Sequence, residues 1–227
     1  MFLEVLIVVS IIIVPAPELP AAVLNDYDIA VATTAIGRYV NDLVAPAYSQ
    51  GRYSVSALAR GQHVPQATDH VWIVWLHSNS DQPGAAGYHD ANGGSPEAKV
   101  FVVDLDAAGM SWTAVATHEI AEMIVNRWVN AAVLGGQGFA WMEACDPVEV
   151  FGANHAGIAV SDFVLPAYWR PGSQGPYSQF GHAPGPLTPA ANCRQEWFQI
   201  AGSSTQRGAA IAAIPGQLPE PSPPPLT

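Results

Sequence analysis

Basic side chains are scarce in this chain. Eight Lys and Arg stand against nineteen Asp and Glu in 227 residues, for a net charge of −11. Nucleic-acid phosphates are met by clustered Lys and Arg, so this balance argues against nucleic-acid binding. Cysteine is nearly absent as well. Cys145 and Cys193 are the only two, and no CxxC pattern points to a sulfur-ligated metal. They either pair in an oxidising compartment or stay as separate thiols. GxSxG, Walker and Rossmann motifs are missing, and so are internal repeats, which leaves neither a serine-hydrolase elbow nor a nucleotide cradle to consider. Long hydrophobic runs are missing too. The N-terminal "MFLEVLIVVSIIIV" is cut by Pro15 before it reaches the length of a stable membrane span. It carries Glu4 and no basic n-region, so it reads as a buried first strand, with a secretory segment as the alternative. A secreted, virion-associated or cytoplasmic location all remain open.

What is present describes a folded chain. Apolar residues make up 49% of it and charged residues 12%, enough for a substantial core. Residues 1–214 read as one domain, in which 1–24 form the first strand (or signal segment) and a linker. Residues 215–227, "LPEPSPPPLT" among them, read as a Pro-rich, extended tail. Asn25 or Asp26 can cap a helix through "YDIAVATTAIGRYVNDLVAPAY", where Ile29, Ala32, Ile36, Val40 and Val44 keep a helical period. "GRYSVSALA", "HVWIVWLHS" and "AKVFVVDLD" read as strands, and "NSDQPGAAGYHDANGGSP" as a long loop. A second helix runs from near Ser111 to about Trp128. Beyond it "GGQG" is a loop, "FAWMEACDPVEVFG" starts as a helical turn or a strand, and Gly and Pro exclude long elements between Arg170 and Asn192. The expected fold class is α+β, a small sheet packed on the second helix, with an irregular Gly/Pro-rich C-terminal half.

That second helix carries "THEIAEMIVN". His118 and Glu122 are four residues apart and share a face, with Cβ atoms roughly 5–6 Å apart. Two such side chains can bite one ion, since Zn–N and Zn–O bonds are about 2.0–2.2 Å. Glu119 takes the place that a general base holds in an HExxH helix, but here the pattern is HExxE. A third ligand must come from elsewhere, and "WMEACDPVE" offers Glu143, Asp146 and Glu149. Glu143 as ligand with Asp146 as its near partner is the first assignment, Asp146 as the ligand the second, Glu149 the third. Zinc is the expected ion, although the extra carboxylate makes the site more tolerant of harder divalent ions. A His–Glu pair at this spacing is also a common surface pair. The apolar surroundings in "WTAVATHEIAEMIV" set this one apart, because unpaired buried carboxylates are costly and a cation removes the cost. "KVFVVDL" is a candidate edge strand on which an extended peptide pairs.

Other residues carry weaker signals. His89 in "GYHD" reads as a solvated loop histidine that could instead stabilise an oxyanion, and Tyr88 faces the same choice. His155 in "GANHAG" is a loop residue before it is a transition-state donor. Tyr168 could line a substrate pocket, but aromatics next to Pro166 more often close a core.

The order of "VWIVWLHSNSDQPGAAGYHD", "KVFVVDLD", "SWTAVATHEIAEMIVN", "MEACDPVE" and "VSDFVLPAYW" resembles a zincin-like metallopeptidase family of bacterial and bacteriophage genomes. That family carries SHExxEML on the helix and E-x-C-D downstream, and the match covers roughly Asp26 to Gly181. The resemblance implies a zincin-like fold, His118 and Glu122 as ligands and Glu119 as base. Thr117 stands where the family carries serine, and "NRWVN" replaces an acidic-Pro stretch after the helix. Two functions are expected from this reading. One is a zinc-dependent hydrolase of peptide or protein substrates. The other is a zincin-scaffold binding or structural protein whose ion only staples the C-terminal half.

Overall fold

A computed structural model describes residues 8–91, 94–200 and 211–213. The expected tail, 215–227, lies outside the described residues, as do residues 1–7.

The main sheet has five strands in the order β2-β1-β3-β5-β4. Strand β1 (Val9–Pro15) is second in that order, parallel to β2 (Tyr53–Ala57) on one side and to the central β3 (Val71–His77) on the other. Strand β5 (Glu97–Phe101) continues parallel to β3, and β4 (Gly87–Asp90) closes the edge antiparallel to β5. Parallel neighbours need a crossover, and helix α1 (Asp26–Tyr39) supplies the one between β1 and β2. Its cap is the expected Asn25, whose Oδ1 accepts the Asp28 N–H at 2.9 Å. A π-helical turn (Val40–Val44) and a short α2 (Ala45–Ala47) prolong it.

Side chains alternate faces along a strand. Paired registers put Ile11, Ile13, Trp72, Val74, Leu76, Ala98 and Val100 on one face. All seven are buried in the main core, together with residues of α1 and of α4 (Trp112–Val125). Helix α4 lies over β5 and β4 and touches α1, so both helices cover the same face. Ten of its fourteen residues are buried. A helix apolar nearly all round is a buried helix, and its polar side chains are therefore carried into the interior.

The described architecture is mixed α and β with a small mixed sheet, as expected, and it differs from the sequence reading in three places. "AKVFVVDLD" is strand only to Phe101; the chain then turns into α3 (Val102–Ala107). β5 is an internal strand, and the edge is β4, built from "GYHD" in the supposed loop. The C-terminal half is also more regular than its Gly and Pro suggest. β6 (Ala132–Gly135) and β7 (Gly138–Trp141) form a hairpin around the "GGQG" turn. β10 (Trp197–Ile200) and β11 (Ile211–Ala213) extend this into a second sheet, and β8 (Gly152–His155) and β9 (Ile158–Ser161) make a third, two-stranded one. Among the described residues no helix is long and apolar enough to cross a membrane. Both cysteines are free thiols, Cys145 buried and Cys193 half-buried.

Candidate metal centre

Three segments bring six chemistry-bearing side chains together. The first is α4. Its middle turns carry His118, Glu119 and Glu122, whose side chains are 16%, 6% and 5% exposed. Thr117 anchors the helix there. Its Oγ1 donates to the carbonyl of Thr113 or Ala114 and accepts the Ser161 N–H at 3.0 Å, which ties β9 to the helix.

The second segment is the edge strand. In the β4–β5 register Gly87 lies opposite Val100 and His89 opposite Ala98. Both partners face the helices, so Gly87 and His89 face α4 as well. Tyr88 turns the other way, donates to Asp81 and lies beneath the Lys99 ammonium. Gly87 has no room for a side chain, since an added Cβ would lie 2.6 Å from Val115 Cγ1 and 3.0 Å from Glu119 Oε1. This close approach lets His89 reach the helix. Its Nδ1 is 3.4 Å from Glu119 Oε2 and 3.5 Å from Glu122 Oε2. The solvated histidine expected from the loop reading is thus a buried one, its side chain 5% exposed.

The third segment follows β7. Asn126 caps the end of α4 and directs the chain toward it: its Oδ1 accepts from the Asn130 and Ala131 N–H groups, and its Nδ2 donates to Glu143 Oε1 at 2.8 Å. Glu143 Oε2 then comes within 3.5 Å of His89 Nε2. Two residues on, the Cys145 and Asp146 N–H groups donate to Glu122 Oε1 at 3.0 and 3.3 Å. Asp146 Oδ1 is 3.6 Å from His118 Nε2, which is itself 3.4 Å from Glu122 Oε1. Arg194, from the far end of the chain, grips both Asp146 oxygens at 3.1 and 3.2 Å.

Two candidate donor groups result, His89–Glu122–Glu143 and His118–Glu122–Asp146, in each of which one ligand atom per residue lies within 4.8 Å of the others. The His118–Glu122–Glu143 set expected first is not assembled. Glu143 faces His89 instead, and Asp146 occupies the place beside His118. The fit to a cation rests on spacing and on unpaired atoms. Donors about 2.0–2.2 Å from a tetrahedral ion lie roughly 3.4 Å apart; His118 Nε2 is 3.4 Å from Glu122 Oε1 and 3.6 Å from Asp146 Oδ1, whereas the 3.5 Å distances from His89 to Glu122 and to Glu143 start from its two different ring nitrogens. His89 Nε2 and Glu143 Oε2 are buried without any hydrogen-bond partner, a costly state that an ion removes.

The electrostatics agree. Burial, reinforced by the neighbouring charges of Glu122 and Asp146, pushes the Glu143 carboxyl up to about 8. Burial raises Glu119 as well, partly offset by the His89 imidazole. Burial opposes ionisation of Glu122 too, yet His118 and His89 hold it well below the usual carboxylate range. Both imidazoles are raised well above the ordinary histidine value, burial being outweighed chiefly by Glu143 for His89 and by Glu122 for His118. Four carboxylates share this space with two imidazoles and the Arg194 guanidinium, and a divalent cation would compete with the imidazole protons for the carboxylate charge.

The remaining candidates lie apart. Glu149 is in neither donor group and points toward Arg194 at 3.9 Å. His155 stands in β8, edge-on to Tyr39 with ring centroids 6.5 Å apart. Tyr168 is fully buried in a second core cluster beside Trp169, with its hydroxyl on Gln195. Asn126 and Arg194 escaped sequence reasoning: Asn126 closes the "THEIAEMIVN" stretch without a metal-ligating side chain, and Arg194 lies in no motif. Comparison with protein-family models, with curated proteins and with solved structures finds no match to this chain.

Proposed function

We propose that this protein is a divalent-metal-dependent hydrolase of the zincin-like kind, acting on extended peptide or protein segments. The observation that carries this reading is a pair of His–carboxylate donor groups that share the buried Glu122, His89–Glu122–Glu143 and His118–Glu122–Asp146, with Glu119 3.4 Å from His89. An ion would be held on Glu122 by one of the two donor groups. The mixed nitrogen–oxygen set suits zinc, and its carboxylate content also suits manganese. When bound, the ion supplies a Lewis acid that polarises the scissile carbonyl and acidifies the attacking water. Glu119, raised by burial and 3.4 Å from His89, would take a proton from the attacking water and pass it to the leaving amine. The outer edge of β4 offers backbone groups on which an extended peptide can pair, and that strand runs past Glu119.

Glu119→Gln tests this. The variant keeps its metal content by elemental analysis and loses about 100- to 10,000-fold in peptide-cleavage rate, the usual contribution of a positioned base. Full activity in that variant removes Glu119 from the reaction.

A further inference from the structure

We infer that Arg194 is a positioning residue of the metal centre, aiming the Asp146 carboxylate from outside at an ion position shared with His118 and Glu122. The inference rests on reading this site as a divalent-metal centre and adds to it a residue from the C-terminal part of the chain.

A single nitrogen, His118 Nε2, is 3.4 Å from Glu122 Oε1 and 3.6 Å from Asp146 Oδ1, near the roughly 3.4 Å between donors on a tetrahedral ion. Two carboxylates converging on one point repel each other, so each has to be held there before an ion arrives. Glu122 Oε1 is held by the Cys145 and Asp146 N–H groups at 3.0 and 3.3 Å. Asp146 is held by a side chain instead. Among the described residues, the hydrogen bonds on its carboxylate come from Arg194, with Nε on Oδ2 at 3.1 Å and Nη2 on Oδ1 at 3.2 Å. Each carboxylate oxygen has two lone pairs, and the fork takes one from each. Oδ1 keeps the other for the side that faces His118.

The fork is itself fixed. The Ala190 N–H donates to the Pro147 carbonyl at 2.8 Å and the Arg194 N–H to the Asp146 carbonyl at 3.3 Å, so this stretch lies along the 3₁₀ turn Asp146–Val148. The next residue, Gln195, donates to the Trp141 carbonyl at 3.0 Å, and Trp197 pairs with Ala140 of β7. The Arg194 side chain is 45% exposed and that of Asp146 only 7%, so the guanidinium approaches from the solvent side. Glu149 and Glu196 also lie 3.9 Å from its Nε, and its charge is shared among three carboxylates.

A guanidinium beside a cation site acts in two opposed ways. Its charge repels the ion, and its fork orients a ligand for it. On charge alone, removing Arg194 tightens metal binding; positioning gives the opposite sign. A residue that only pins the C-terminal stretch gives a third result, a lower melting temperature of the metal-free protein with metal affinity unchanged.

The full-length protein, stripped with a chelator, is titrated with Zn²⁺ against a chromophoric competitor. The wild type is expected to take up one ion per chain. Arg194→Ala should weaken binding by about 10–100-fold, the usual cost of losing the partner that supports a ligand. Arg194→Lys keeps the charge without the fork and should recover only part of that loss. In Asp146→Asn the support has no ligand left to aim, so adding Arg194→Ala should cost nothing further. Co²⁺ in place of Zn²⁺ gives a visible spectrum sensitive to coordination, which Arg194→Ala should shift toward that of Asp146→Asn. A ¹H–¹⁵N spectrum of the arginine-labelled wild type does not depend on how the variants fold, and the Arg194 Nε–H should stay protected from solvent exchange when Zn²⁺ is added. Binding in Arg194→Ala as tight as in the wild type, or tighter, overturns the proposal and leaves the hydrolase reading standing. An unchanged Co²⁺ spectrum, or release of the Arg194 Nε–H on metal binding, does the same. A wild type that takes up no ion overturns both.

Discussion

At the residue scale, small groups at contacts with α4 decide whether the centre can be built. Thr117 is one. Its hydroxyl accepts the Ser161 N–H in a buried position, and the helix cannot supply that acceptor by other means. Thr117→Val keeps the shape and strands the donor, so a loss of about 1–3 kcal/mol is expected, measured by denaturant unfolding. Thr117→Ser keeps the oxygen and should stay within about 1 kcal/mol of the parent. Asn126 and Arg194 act at the same scale, one aiming Glu143 and the other holding Asp146. Neither was legible in the sequence, because capping and charge-clamping partners are chosen by tertiary proximity and leave no local pattern.

At the scale of elements, legibility followed length and burial pattern. α1, β3 and α4 are long enough for their apolar period to show, and HExxE was found because α4 is one of them. β4 has four residues between Gly-rich flanks, and its strand character comes from pairing with β5 and packing on α4. Local propensity argues for a loop there, so His89 was read as solvated. The switch at Phe101 from strand to helix was hidden for a related reason. "VVDLDA" is apolar enough to continue a strand, yet Val102 and Leu105, a helical step of three apart, are buried. The close fit of β4 on α4 gives a direct test. Gly87→Ala would place a Cβ 2.6 Å from Val115 Cγ1 and 2.8 Å from the Lys99 carbonyl oxygen. The strand must lift, so stability should fall by about 1–3 kcal/mol. If His89 is a ligand, metal affinity should fall with it, while Gly136→Ala, in the open β6–β7 turn, serves as the control.

At the scale of the whole molecule, the chain joins a sheet-and-helix half to a half made of hairpins and loops, and the candidate centre lies where they meet. Sequence spacing placed "MEACDPVE" beside α4, but three carboxylates within seven residues left the choice among them to the backbone path. A stapling ion and a catalytic one differ in what chelation does to the molecule. Ligand at 100 times its dissociation constant stabilises a fold by about 2.7 kcal/mol, so removal should lower the melting temperature in a scanning experiment whichever role the ion has. A catalytic ion also takes peptide cleavage with it at temperatures where the chain is still folded by circular dichroism, and re-addition restores the rate. A stapling ion lowers the melting temperature with no cleavage before or after. The candidate donors come from residues 89, 118, 122, 143 and 146, on three separate stretches of backbone. No nascent fragment ending before Glu143 carries the complete set, so loading would be a late event in maturation. Fraying of any one stretch in the finished protein would open the cage and let its cargo escape.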